Sequence, residues 1–200
     1  MTDAQLIERY LDGDITAFNT LVWRWENNIF NFVLRYVGNR EEAKDLSQKT
    51  FIRVYRKLHH LRDMDKFSSW IYQIAINLCR DELKNRRRRQ TYSLEGLQEN
   101  DDGGANTNLP LEKATAQEPH DGVCSQDLRE ILNKALQAIP EEQRVVIIMK
   151  EYQGLKFTEI AEALQVSVNT AKSRMYYGLH ALKKVFNKWN IDKESLLYEV

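Results

Sequence analysis

From Phe67 onward, Phe67, Trp70, Ile71, Ile74, Ala75 and Leu78 fall at i, i+3, i+4, i+7, i+8 and i+11. That spacing puts all six on one side of an α-helix, whereas a strand would scatter them over both faces. No stretch of useful length alternates at strand period, and Val145-Val146-Ile147-Ile148 is short and set in helical surroundings. An all-α fold is expected.

The 200-residue chain divides at a polar, acidic stretch without periodicity, roughly residues 91–124, which holds Gly96, Gly103, Gly104 and Gly122 between helical segments. Such a composition predicts a flexible linker. The expected architecture is two small helical domains, 1–90 and 125–190, followed by a tail, 191–200. Thr2 with Gln5, and Asn39 with Glu42, have capping-box spacing. Asp14 is placed to cap a long helix that ends at Gly38.

Composition narrows the class. No window approaches the ~18 uninterrupted apolar residues of a spanning helix. The start, Met1-Thr2-Asp3-Ala4-Gln5, lacks the basic and apolar regions of a signal peptide, so a cytoplasmic protein is expected. The two cysteines, Cys79 and Cys124, share no motif. His59, His60, His120 and His180 have no metal-ligand spacing, and the usual hydrolase, metalloprotease and phosphate-loop motifs are missing. Neither an enzyme nor a cofactor is expected.

The formal net charge is zero, but charge is segregated. Arg80, Lys84 and Arg86 to Arg89 form a basic block, and acidic residues dominate from Glu95 to Asp127. Such blocks place a local positive field on a neutral protein. Opposite the Phe67 stripe, the wheel puts Tyr72, Gln73, Ile76, Arg80, Leu83, Lys84 and Arg87, with Asn77 at the boundary. Cations among amide and aromatic groups suit a nucleic-acid strand. Trp70 is expected in the core. Between Asn39 and Leu58, Ala43, Leu46, Ser47, Thr50, Val54 and Leu58 face inward. Asp45, Gln48, Ile52 and Arg56 point away, with Phe51 and Tyr55 on the flank; an apolar residue ringed by polar groups suggests a partner surface.

In the C-terminal part, Pro140 marks a helix start and Gly154 a stop. Thr158 is expected to cap a helix Glu159–Leu164, and Ser167 a longer one after the tight turn Gln165-Val166-Ser167. Two helices so joined, with small Ala161 at the crossing, predict a helix-turn-helix. Val168, Ala171, Met175, Leu179, Leu182 and Phe186 are expected inward; Asn169, Thr170, Ser173, Arg174, Tyr177 and Lys184 outward, with Lys172 near the apolar edge. Gln165 occupies the turn position where glycine is usual.

The string Asp45-Leu-Ser-Gln-Lys-Thr-Phe-Ile-Arg-Val-Tyr55, the segment Phe67 to Leu83, and the helix-turn-helix after Ile139-Pro-Glu-Glu-Gln-Arg144 together resemble an extracytoplasmic-function (ECF) sigma factor of the sigma-70 family. The resemblance implies a subunit that binds core RNA polymerase and directs promoter-specific initiation. Asp45, Gln48 and Phe51 would grip the β′ clamp helices, with outward Ile52 and Tyr55 beside them. His59 to Asp65 and the following helix would capture flipped bases of the melted −10 element, with Asn77 the best-matched reader and Arg80, Lys84 and Arg87 on the strand. The last helix would read the −35 element as duplex through Asn169, Thr170, Lys172, Ser173, Arg174 and Tyr177. The β flap and an anti-sigma factor are further implied partners, and the linker would thread the core enzyme. Lys49 stands where the family usually has Glu, and Tyr177 where Arg is common. The segregated charge also suggests that the acidic linker folds over Arg86–Arg89 in the free protein. A conventional helix-turn-helix repressor is the nearest rival, but it leaves the helices from Asp45 to Arg89 without a purpose.

Overall fold

The structure, a computed structural model, describes the backbone of residues 1–95 and 123–191 and the side chains of 1–89 and 128–191. The proposed linker and tail thus lie almost wholly outside the described residues, as does its contact with the arginine block. Among the described residues there are α-helices and no strands. They are α1 (Asp3–Leu11), α2 (Ile15–Val37), α3 (Arg40–Lys57), α4 (Phe67–Glu95), α5 (Val123–Gln137), α6 (Glu141–Ile147), α7 (Phe157–Leu164) and α8 (Val168–Lys188). Two 3-10 turns, Leu58–His60 and Met64–Lys66, join α3 to α4, and a π turn at Ile148–Tyr152 extends α6.

The predicted caps start the first three helices. Thr2 and Gln5 exchange both capping-box bonds at α1, Asp14 accepts from the Thr16 amide at α2, and Asn39 accepts from Glu42 at α3. Each stabilises its helix by about 1 kcal/mol. Gly38 ends α2 in the left-handed conformation at φ 78°. Inside, Ile29, Phe32, Val33 and Tyr36 of α2 and Ile71 and Ala75 of α4 are fully buried. Edge-to-face rings tie α2 to α4: Trp25 meets Phe67 at 5.7 Å, and Phe32 meets Tyr72 at 5.1 Å.

The C-terminal helices pack on the N-terminal ones, and one apolar core runs through both. Two buried tyrosines cross the boundary with their hydroxyls: Tyr36 donates to Glu141 at 2.6 Å and Tyr72 to Gln153 at 2.8 Å. Gln137 donates to the carbonyl of Arg35 at 2.8 Å, satisfying a helix-end acceptor of α2 from the other domain. The π turn carries Tyr152 and Gln153 to this boundary, where the Arg35 guanidinium lies 4.3 Å from the Tyr152 ring centroid. Such contacts explain a departure from the wheel: Tyr72 and Ile76, expected on an outer face of α4, are 2% and 1% exposed. A helix covered on two sides has two apolar stripes, and the second is not polar solvent surface.

The helix-turn-helix forms with two adjustments. α7 begins at Phe157, capped by Glu159, which accepts from the Lys156 amide at 2.7 Å; Thr158 is not the cap. Gln165 adopts the left-handed conformation, φ 55° and ψ 45°, at a cost of about 1 kcal/mol. Replacing Gln165 with Gly should therefore raise stability by about 0.5 kcal/mol, because relief of strain outweighs the added freedom of the unfolded chain. Thermal melts of the two chains check this.

Candidate polymerase and nucleic-acid interfaces

On α3 the inward residues are buried as expected, which leaves Asp45, Gln48, Ile52 and Tyr55 exposed and Phe51 partly covered. Ile52 is 44% and Tyr55 53% exposed. The Tyr55 ring packs at 5.2 Å on Phe18 and at 6.0 Å on Tyr10, so α1 and α2 support this surface. Leu11 and Ile15, beside them in sequence, are also exposed. None of these four N-terminal residues stood out in the sequence, although two aromatics and two aliphatics around a single turn are a visible signal. Lys49 pairs with Asp45 at 2.5 Å along the helix. Such an exposed pair contributes little and exchanges readily for a partner's charge.

On α4 the exposed strip is narrow. Asn77, Lys84 and Arg87 are exposed. Trp70, expected in the core, is only partly buried, its ring 6.0 Å from Phe67. By helical spacing Trp70, Gln73, Asn77 and Lys84 share one ridge, a flat ring, two amides and a cation. Arg80, on the ridge's edge, is half-buried and its Nε lies 3.1 Å from Glu141 Oε1. That carboxylate also accepts from Tyr36, whose phenol is pushed well above its ordinary pKa by burial and then by Glu141. At the other end, Lys66 pairs with Glu162, which Ser69 also approaches at 3.0 Å. The Lys66 ammonium holds the Glu162 carboxyl below the usual carboxylate range. In the arginine block, Arg86 lies 3.9 Å from Glu42, and Arg89 pairs with Glu82. Cys79 is buried and its thiol pushed up by that burial, which removes it as a nucleophile.

On α8 the structure turns the helix relative to the wheel. Gly178 is buried, and a Cβ there would stand 2.8 Å from Ile147 Cδ1 and 3.1 Å from Gln143 Cβ. α8 therefore leans on α6 through its glycine, and Leu179, expected inward, is 49% exposed. The outward ridge becomes Asn169, Lys172, Ser173, Tyr176 and His180, all exposed. Tyr177 is exposed too, its ring 5.6 Å from that of Tyr176. Thr170 and Arg174 sit to one side, Thr170 sharing a hydrogen bond with Ser167 and Arg174 pairing with Glu142 at 2.7 Å. Sequence reasoning missed Tyr176, and glycine at 178 was the available clue. Ser167 caps the helix by accepting from the Thr170 amide at 3.0 Å. Ser167→Ala should cost about 1 kcal/mol and weaken duplex binding with it, measured by melts and by titration of DNA.

An exposed apolar face on α3, a ridge of a ring, two amides and a cation on α4, and a helix-turn-helix now stand on one chain. The sequence matches the family models Sigma-70 region 2 over residues 21–89 and Sigma-70, region 4 over residues 129–182. This chain belongs to the ECF sigma factors of the sigma-70 family. It is 32% identical over 185 residues to the ECF RNA polymerase sigma-E factor of Salmonella typhimurium, covering 91% of this chain and 93% of the relative. With the RNA polymerase sigma-H factor of Pseudomonas aeruginosa the identity is 30% over 182 residues, covering 91% and 92%. Among solved structures, CnrH in complex with the cytosolic domain of CnrY superposes with a TM-score of 0.66 at 19% identity, covering 93% of this chain and 97% of that one. The sigma factor RpoE bound to the anti-sigma factor NepR from Bartonella quintana gives 0.62 at 17%, covering 86% and 98%. Sigma factors are initiation factors and not enzymes, and this one directs promoter-dependent transcription by RNA polymerase. Among the described residues, no helix is long and apolar enough to cross a membrane.

Proposed function

We propose that this ECF sigma factor divides promoter recognition between its two domains. The exposed face of α3, with Asp45, Gln48, Phe51, Ile52 and Tyr55, docks on the β′ clamp helices of cytoplasmic core polymerase. The α4 ridge captures unpaired bases of the −10 element: Asn77 and Gln73 offer amides to base edges, Trp70 offers a stacking ring, and Arg80, Lys84 and Arg87 meet phosphates. Binding only the separated strand shifts the duplex toward opening, since the ligand prefers that state. α8 reads the −35 element in the major groove through Asn169, Lys172, Ser173, Tyr176 and Tyr177, with Thr170 and Arg174 beside the DNA backbone. The C-terminal domain also meets the β flap, and an anti-sigma factor, as in the structure of RpoE with NepR, is the expected inhibitor.

The observation that carries this reading is the pairing of a strand-type ridge on α4 with a duplex-type ridge on α8. A sequence-specific repressor needs only the second. Reconstitution with core polymerase on a randomised promoter library tests it. Initiated transcripts should share two separate conserved blocks upstream of their starts. A single block, or initiation no better than core alone, contradicts the proposal.

A further inference from the structure

Cations of the N-terminal domain commonly hold an acid: Arg9 meets Asp14, Arg24 meets Asp3, Lys44 meets Glu41, and Lys66 meets Glu162. The C-terminal end of α3 and the turn after it break this pattern. Arg53, Arg56, Lys57 and Arg62 are exposed, and none has a carboxylate partner among the described residues. Of the acids in that turn, Asp63 accepts from the Asp65 amide at 3.2 Å and lies close enough to Lys66 to favour its charge. The four unpaired cations outnumber Asp63 and Asp65, so the local field stays positive. Their placement follows from the helix. Glu42, Leu46, Thr50, Arg53 and Lys57 fall at i, i+4, i+8, i+11 and i+15, one face of α3. Glu42 lies 3.9 Å from Arg86, and Leu46 and Thr50 are buried, so this face turns to α4 and the two helices run antiparallel. Arg53 and Lys57 therefore stand beside the first half of α4, where Trp70 begins the ridge. Tyr55, packed on Phe18, lies on the opposite side of α3, and Arg56 is one turn beyond Ile52 on the docking row. Next to Lys57 the exposed rings of His59 and His60 lie 3.8 Å apart, a flat surface that suits a base of any identity.

We propose that Arg53, Lys57 and Arg62 form a phosphate track that carries the unpaired strand off the Trp70 end of the α4 ridge, beyond the bases that Asn77 and Gln73 read. The track rests on the proposed role of α4 in strand capture. It adds affinity without sequence preference, because neutralising phosphates is blind to base identity. The arginine block at the opposite end of α4 suits the duplex leading to the −35 element, so the strand reaches the track downstream of the −10 element. Its contribution is to how long the open state lasts and how steeply salt shortens it.

Holoenzyme assembled from core polymerase and the full chain tests the track with two single-stranded DNA oligonucleotides. One ends at the downstream block of a promoter selected as above, and the other runs about ten nucleotides further downstream. The longer strand should bind about tenfold tighter at moderate salt. The combined variant Arg53→Gln, Lys57→Gln and Arg62→Gln should remove that gain and leave the shorter strand unaffected. For the longer strand, its slope of log affinity against log salt should be shallower by about 2, from about 0.7 for each of three phosphates. A chain with Arg9→Gln, Lys44→Gln and Lys134→Gln, equal in net charge, should keep both the gain and the slope. If the combined variant does not fold, Lys57→Gln alone should make the slope shallower by about 0.7. No gain from the longer strand, a gain that survives the substitutions, or an equal loss in the control overturns the track. A combined variant that folds but no longer binds core polymerase also overturns it and gives the patch to a protein surface. Affinity for the shorter strand unchanged by Asn77→Ala strikes the α4 reading instead, and the gain from the longer strand still reports on the track.

Discussion

A Gly178→Val chain is expected to lose about 3 kcal/mol of stability, with its helix-turn-helix collapsing first. In an exposed helix the change would be stabilising, because glycine costs about 1 kcal/mol relative to alanine in a helix interior. Here the sign reverses. The first added carbon already meets Ile147 Cδ1 at 2.8 Å and Gln143 Cβ at 3.1 Å, and the Gln143 carbonyl lies at 3.4 Å. The end of the isoleucine can yield a little, but Gln143 Cβ and its carbonyl are tied to the backbone of α6, and the branched side chain has to separate α6 from α8. Ile147 is itself buried, so its movement disturbs the core as well. Thermal unfolding followed by circular dichroism checks the loss, and duplex binding should fall in parallel. A stability equal to or above that of the parent would show that α8 does not rest on α6 through this glycine.

Ile52→Glu is expected to leave the fold intact and weaken association with core polymerase about 100-fold. The side chain is 44% exposed, and substitutions at such positions usually change stability by no more than about 0.5 kcal/mol. In the docked state the same position would carry an unpaired carboxylate into an apolar contact, a penalty of about 3 kcal/mol. Asp45 and Gln48 would add like charge and competing hydrogen bonds nearby. Fluorescence-detected titration of core polymerase, with a melt of the free variant beside it, separates the two effects. Unchanged affinity would move the docking face elsewhere on the N-terminal domain.

The parts of the fold legible in the sequence were those written in local chemistry. Caps at Thr2, Asp14, Asn39 and Ser167 lie where hydroxyl, carboxylate and amide side chains precede helical spacing. The inward row of α3 needed only its own period. Legibility failed where burial came from another element. Leu179 is apolar and in phase, yet exposed, since α8 presents Gly178 to α6 and a residue without a side chain contributes nothing to a hydrophobic wheel. Tyr72 and Ile76 are buried, and Tyr72 reaches across the domain boundary to Gln153, 81 residues away in sequence. Trp70 belongs to the apolar stripe that begins at Phe67 and so reads as core, yet it is only partly buried, because it stands at the edge of that stripe on the side of Gln73 and Asn77. Thr158 has the residue type of an α7 cap, yet Glu159 serves the Lys156 amide from inside the helix.

The candidate DNA residues divide in the same manner. Asn77, Lys84, Asn169, Lys172 and Ser173 stay exposed because polar residues at outward phase need no partner to place them. Arg80 and Arg174 were equally basic in the sequence, but each is engaged by an acidic residue in the first turn of α6. No periodicity predicts that pairing, which depends on how α6 meets α4 and α8.

The most direct test of the divided reading is permanganate footprinting of the reconstituted polymerase on a promoter selected with this sigma factor. Thymines in the downstream block should become reactive while those in the upstream block stay unreactive as duplex, and Asn77→Ala should abolish the downstream reactivity. Reactivity spread over both blocks, or its persistence in the Asn77→Ala polymerase at wild-type level, would contradict the assignment of strand capture to α4 and duplex reading to α8.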